Sequence, residues 1–112
     1  MPTHAELTGK LLVDAAAFFR TLASQNDSLK DQMTENATVF EQMSELIVND
    51  PEGDLEGTEH AELAGRLLHD AAGFFRTLAE QNEPIQEQMN ENANVYEQIG
   101  DLVAEDPLGI LD

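Results

Sequence analysis

The chain has 112 residues, 41% of them hydrophobic, and 23 acidic side chains against 5 basic ones, for a formal net charge of −18. That charge repels nucleic acid and anionic lipid, so direct binding to either is not expected. The absence of cysteine removes disulfides, thiolate metal ligands and a cysteine nucleophile.

No apolar run approaches the roughly 20 residues of a membrane span, and no basic segment followed by an apolar one marks a secretory signal, so a cytoplasmic location is expected. Three readings of the acidity stand side by side: a solvated surface that favours solubility, adaptation to a salty cytoplasm, in keeping with only Lys10 and Lys30 as lysines, and a surface for a basic partner, which includes an acidic mimic of nucleic acid.

The chain is one unit written twice at an offset of 56: His4-Ala-Glu-Leu-Thr-Gly-Lys-Leu-Leu returns as His60-Ala-Glu-Leu-Ala-Gly-Arg-Leu-Leu, and Asp50-Pro51 as Asp106-Pro107. Roughly three residues in five are identical between the units. A unit of that length is marginal as an independent fold, so the two are expected to share one core.

Along the first unit, Thr3 with Glu6 has the spacing of a capping box, and in the copy Thr58 is the candidate cap, one residue earlier relative to the repeat. Leu7, Leu11, Leu12, Ala15, Phe18, Phe19 and Leu22 then form one wide apolar stripe at helical spacing. Gly9, Lys10, Ala17 and Arg20 fall opposite it, and Glu6–Lys10 repeats as Glu62–Arg66 in the favourable i,i+4 order. Phe18-Phe19 and Phe74-Phe75, set among leucines, read as core.

A break comes at Gln25–Ser28 and again at Gln81–Pro84. Asn26 and Asn82 suit a left-handed helix-closing residue, and Pro84 suits the first turn of the next helix. The second helix carries Leu29, Met33, Asn36, Ala37, Phe40, Met43 and Ile47, matched by Ile85, Met89, Asn92, Ala93, Tyr96, Ile99 and Val103, and should stop near Asn49 and Glu105 ahead of the prolines. Short breaks make each unit an antiparallel helical hairpin with helices of about 20 residues, about 30 Å long. Residues 50–58, with two glycines and a proline, read as a loop linking the units.

The expected fold is therefore all-α: two sequence-repeated antiparallel hairpins, residues 1–56 and 57–112, forming a single four-helix bundle with a pseudo-two-fold. Pairing of hairpins between chains, as a swapped dimer, is the rival arrangement.

Few residues break the pattern in a way that suggests chemistry. Asn36 and Asn92 are polar intruders in an apolar stripe, placed by the hairpin register level with Asp14 and Asp70, or facing each other across the two-fold. They read as devices fixing register, with contact to a ligand as the other role. His4 and His60 lie on the apolar side near helix starts, beside Glu6 or Asp50, as candidates for metal binding or pH sensitivity. The Glu-x-x-His pattern of di-iron bundles is missing, so neither a metal nor a cofactor is expected. Arg20 and Arg76 are positioned to meet surface carboxylates. Leu108, Ile110 and Leu111 form an apolar tail, either a cap on the bundle or a docking segment.

No nucleophile constellation or phosphate loop is present, and catalysis is not expected. The expected function is a non-catalytic acidic interaction or assembly module. Its partner would be itself, as a dimer or higher oligomer, or another protein of basic character. A binder of a small molecule, metal or cofactor around Asn36, Asn92, Asp14 and Asp70 is the alternative.

Overall fold

The computed structural model describes residues 3–110. Four helices dominate: α1 (His4–Gln25), α2 (Lys30–Asn49), α3 (His60–Gln81) and α4 (Gln86–Glu105). One turn of 3-10 helix precedes α2 (Asp27–Leu29) and another precedes α4 (Glu83–Ile85). Between α2 and α3 the expected loop contains a small antiparallel ribbon, β1 (Asp54–Leu55) and β2 (Thr58–Glu59). Its two-residue turn has Glu56 at φ 51° and Gly57 at φ 90°. Left-handed geometry at both central residues is what a tight β-hairpin turn demands, and glycine supplies it without a steric penalty.

The helices run up, down, up, down. Within each hairpin the helices pack closely, α1 on α2 and α3 on α4, whereas contact between hairpins is sparser and runs through α1–α3, α1–α4 and α2–α3. A single buried cluster draws on all four helices, with Leu12, Ala16, Ala37, Ile47, Leu68, Ala72, Ala93 and Val103 fully enclosed. The apolar stripes fold inward as their spacing requires, with Leu7, Leu11, Phe18 and Leu22 packed at the edge of that cluster.

Phenylalanines join the hairpins. Phe18 meets Phe75 and Phe19 meets Phe74, both with ring centroids 5.5 Å apart and edge-on geometry. Phe40 stacks edge-on against Phe19 at 5.1 Å, and Tyr96 against Phe75 at 5.0 Å. Edge-to-face packing places a positive ring edge on a negative ring face, which adds to the gain from burial.

The ends of α1 and α3 correct several expectations. The capping box at Thr3 is present, with Glu6 N–H donating to Thr3 Oγ1 and Thr3 N–H donating to the Glu6 carboxylate. Thr58 does not cap α3: it lies in β2, Glu59 occupies the cap position, and no side chain caps there. This difference redirects a charge. Glu62, free of a capping role, pairs with Arg66 at 3.5 Å. Among the described residues the matching Glu6–Lys10 pair does not form, because the Glu6 carboxylate is spent on the cap.

Asn26 and Asn82 close their helices with extended backbone, not left-handed. Each side-chain amide donates back to the carbonyl four residues earlier, Leu22 and Leu78, at 3.1 Å. A last-turn carbonyl is thereby satisfied by a side chain, and the backbone has no need of the left-handed form. Leu29 and Ile85 sit in the 3-10 turns and are exposed, not part of the core stripe.

Gly9, expected on the solvent side, is buried where α1 crosses α2. A Cβ there would collide with Val48 Cγ2. Beside it Ser44 Oγ donates to Gly9 O at 2.8 Å, and a Cβ on Gly9 would lie 3.3 Å from that hydroxyl oxygen.

Candidate functional site

The looser seams between hairpins leave two grooves in equivalent places. The first, about 330 Å³, lies between α2 and α3; Phe19, Met33, Phe40 and Phe74 form its apolar floor, with Gln32, Asn36 and Asp70 as polar lining. The second, also about 330 Å³, lies between α4 and α1; Phe18, Phe75, Met89 and Tyr96 form its floor, with Asn92 and Asp14 as polar lining. Val39 and Val95, both well exposed, extend the floors outward.

Asn36 and Asn92 are thus brought to grooves, each beside an aspartate, but with the partners exchanged. The hairpin register gave the correct height and the wrong helix: Asn36 shares its groove with Asp70 of the other unit, and Asn92 with Asp14. The cause is helical rotation. On α2 the buried line runs through Met33, Ala37 and Phe40, and Asn36 falls on its flank, where the α3 seam opens. For the same reason the two amides line separate grooves instead of facing each other, and both are half-buried, not enclosed.

Among the described residues the asparagines with side-chain hydrogen bonds are Asn26, Asn82 and Asn94. The amides of Asn36 and Asn92 line the grooves with no side-chain hydrogen bond to another of the described residues.

The grooves differ at one atom. Tyr96 O–H donates to Leu11 O at 2.9 Å, tying α4 to α1 across the second seam, whereas its counterpart Phe40 has no hydroxyl. Burial, and secondarily the Asp14 carboxylate, hold the Tyr96 phenol above its ordinary range, so it remains a donor.

His4 and His60 are buried, 7% and 4% exposed, and serve the backbone. His4 Nδ1–H donates to Asp106 O and His60 Nδ1–H to Asp50 O, each at 2.8 Å. The partners are carbonyls, not the carboxylates a metal reading needs, and His4 meets the end of α4, not Asp50 at the end of α2. Among the described residues no three His, Asp or Glu side chains converge as a metal ion would require.

The turns that receive the histidines are Asp-Pro-x-Gly in both units. Gly53 N–H donates to Asp50 O and Gly109 N–H to Asp106 O, both at 3.0 Å, while His60 N–H donates to Gly53 O and His4 N–H to Gly109 O, both at 2.8 Å. A Cβ on Gly109 would fall 2.8 Å from His4 Cε1, and one on Gly53 would fall 2.9 Å from His60 Cε1, so both sites need glycine.

Arg20 pairs with Glu41 through bonds of 2.6 and 3.1 Å, and Arg76 with Glu97 through bonds of 2.7 and 3.4 Å. The guanidinium hydrogen bonds hold both carboxylates below their usual range. These arginines tie each hairpin together on its surface. A third, shallower hollow of about 440 Å³ lies over α3 and α4, where Gly65, Gly100 and Ala104 leave room beside the His69–Asp101 bond of 2.8 Å.

Leu108 and Ile110 remain exposed, although Ile110 bridges Thr3 through the backbone. Leu111 lies outside the described residues.

Phe19 and Phe75 are core as their spacing predicts, whereas Phe18 and Phe74 are only partly buried and reach the grooves, which the reading of all four as core does not foresee. The signal was their doubling: adjacent aromatics on a helix cannot both point at one axis, so one of each pair must reach a neighbouring seam. Comparison with family models, with curated proteins and with solved structures finds no match. What is defined is the class, an all-α bundle of two pseudo-equivalent hairpins. Among the described residues no helix is long and apolar enough to cross a membrane.

Proposed function

We propose that the chain is a non-catalytic, acidic helical interaction module that holds a basic protein partner along the two seams between its hairpins. One observation carries this reading: the seams present equivalent grooves, each with an aromatic and methionine floor, an amide and one aspartate. A surface with an apolar centre and a polar margin is the usual anatomy of a recognition site. The net charge of −18 favours a cationic partner and speeds its approach. It also weighs against self-association through the same grooves, which would set one strongly negative chain against another.

Native mass spectrometry of the protein purified from its own host tests the reading. The expected result is a co-purifying polypeptide that is retained at low salt, released at high salt, and absent from the groove-filling variant Asn36→Trp/Asn92→Trp. A bound metal or a small organic mass in place of a polypeptide would overturn it in favour of a ligand-binding bundle.

A further inference from the structure

Resting on that reading, we infer that each seam groove seats one basic amphipathic helix, so that a single chain binds two. The floors supply what an apolar helix face requires. Phe74 with Val39 in one groove, and Phe18 with Val95 in the other, keep apolar surface open to an entering side chain above floors closed by the buried Met33 and Met89. The grooves lie along helix–helix seams and run out over the exposed valines, a form that suits a rod with anchors at i, i+3 or i+4 and i+7.

Charge selects the occupant's flank. Asp70 in one groove and Asp14 in the other offer a carboxylate to a lysine or arginine one turn from the anchors. The adjacent amide oxygen of Asn36 or Asn92 accepts from the same cation. A second copy of this chain has the wrong sign for that role, with 5 basic residues against 23 acidic ones. Moreover Arg20, Arg66 and Arg76, three of its five cations, are already paired with glutamates.

The test is calorimetric titration of the full chain with a leucine–lysine amphipathic peptide of about 18 residues, whose leucines recur at helical spacing. A scrambled peptide of identical composition separates apolar recognition from charge alone. The expected result is two equivalent sites per chain, with the scrambled peptide at least about tenfold weaker, a difference of about 1.4 kcal/mol. Asp14→Asn/Asp70→Asn should weaken binding by a similar factor and flatten its dependence on salt. Val39→Gln/Val95→Gln, which removes the apolar rim without adding charge, should weaken binding at least about tenfold, with circular dichroism confirming unchanged helicity.

Equal affinity for the scrambled peptide, a single site, or indifference to these substitutions would overturn the proposal. So would saturation of both grooves by dodecyltrimethylammonium with no binding of the peptide, which would assign them to small cationic amphiphiles. Dimerisation of the chain alone, lost in Val39→Gln/Val95→Gln, would assign them to a second copy. None of these outcomes removes a co-purifying basic polypeptide held along the seams in a form other than a helix, so the interaction-module reading stands or falls by the mass spectrometry.

Discussion

The first and second hairpins share a plan and differ in how their helices are brought together. In the first, α1 and α2 are joined by a hydrogen bond from Ser44 Oγ to Gly9 O, with Val48 covering the crossing. In the second, glycine faces glycine. A Cβ on Gly65 would lie 2.8 Å from Gly100 O, and one on Gly100 would lie 3.1 Å from Gly65 O, so backbone meets backbone. Shortening the side chains at these positions, from Ser44 and Val48 to Gly100 and Ala104, also opens the hollow lined by His69 and Asp101. Duplicated sequence therefore preserves the fold while changing the contact chemistry. The grooves keep one form in both units, and the crossings do not.

The shared aromatic centre should yield the largest effects and treat both units alike. Phe19→Ala and Phe75→Ala are each expected to cost about 3–5 kcal/mol in urea unfolding, since each removes a buried ring that stacks on two others. A disparity between them much above about 1 kcal/mol would break the equivalence of the two hairpins.

The crossings should separate the units. Gly65→Ala must displace the Gly100 backbone, which has no rotamer to change, and is expected to cost about 2 kcal/mol despite the better helix propensity of alanine. In Gly9→Ala the obstacle is the end of the exposed Val48 side chain, which can turn away into solvent. That substitution should lie within about 1 kcal/mol of neutral. Equal costs in denaturant titrations would show that both crossings depend on backbone approach.

Much of this was legible in the sequence, and the exceptions share a cause. Helix limits at Gln25, Asn49 and Glu105 came from the breaks and the prolines, and the capping box at Thr3 from its spacing. Asn36 and Gly9 differ from their expected places because each required knowledge of which neighbour lies on a helix flank, and Thr58 because it pairs in the ribbon instead of capping α3. Periodicity gives the direction of a face and not what stands opposite. For the candidate site, the residues Asn36, Asn92, Asp14 and Asp70 were visible as polar interruptions. Their exchanged pairing across the units became apparent only with the packing of α2 against α3 and α4 against α1.

A single oxygen distinguishes the seams themselves. Tyr96→Phe should cost about 1–1.5 kcal/mol by leaving the second seam without its bond to Leu11 O, and should make it resemble the first. The same phenol predicts an alkaline signature. Its pKa in the folded chain is raised above the ordinary 10.0, so the neutral form is favoured by folding. Its contribution is whole below pH 10 and declines as pH rises beyond it. Thermal unfolding tracked from pH 9 upward should show that decline in the parent chain and less of it in Tyr96→Phe.

Thr8 is fully buried, and its hydroxyl is the one buried side-chain polar atom without a hydrogen-bond partner among the described residues. The second unit has Ala64 there. Thr8→Val keeps the shape and removes the unpaired hydroxyl, and should stabilise by about 1 kcal/mol. A loss instead would mean that the hydroxyl holds a water, and that the first unit keeps a polar link the second has discarded.

The smallest effect is expected from moving the chain ends. Thr3 bridges Ile110 as Glu59 pairs with Asp54, and His4 receives the Asp106–Gly109 turn as His60 receives Asp50–Gly53. By the repeat offset, residues 106–112 and then 1–3 match residues 50–59 in number, with Met1 at the place of Gly57. Joining Asp112 directly to residue 1, with Met1→Gly supplying the glycine and Pro2→Thr the backbone N–H that a tight turn requires, and cutting between Glu56 and Gly57 should give a permuted chain. Its melting temperature should stay within a few degrees of the parent, a change of about 1 kcal/mol or less. A large loss would show that the two ends of the bundle, though alike in hydrogen bonding, are not interchangeable, and that the internal ribbon anchors the hairpins in a way the terminal bridge does not.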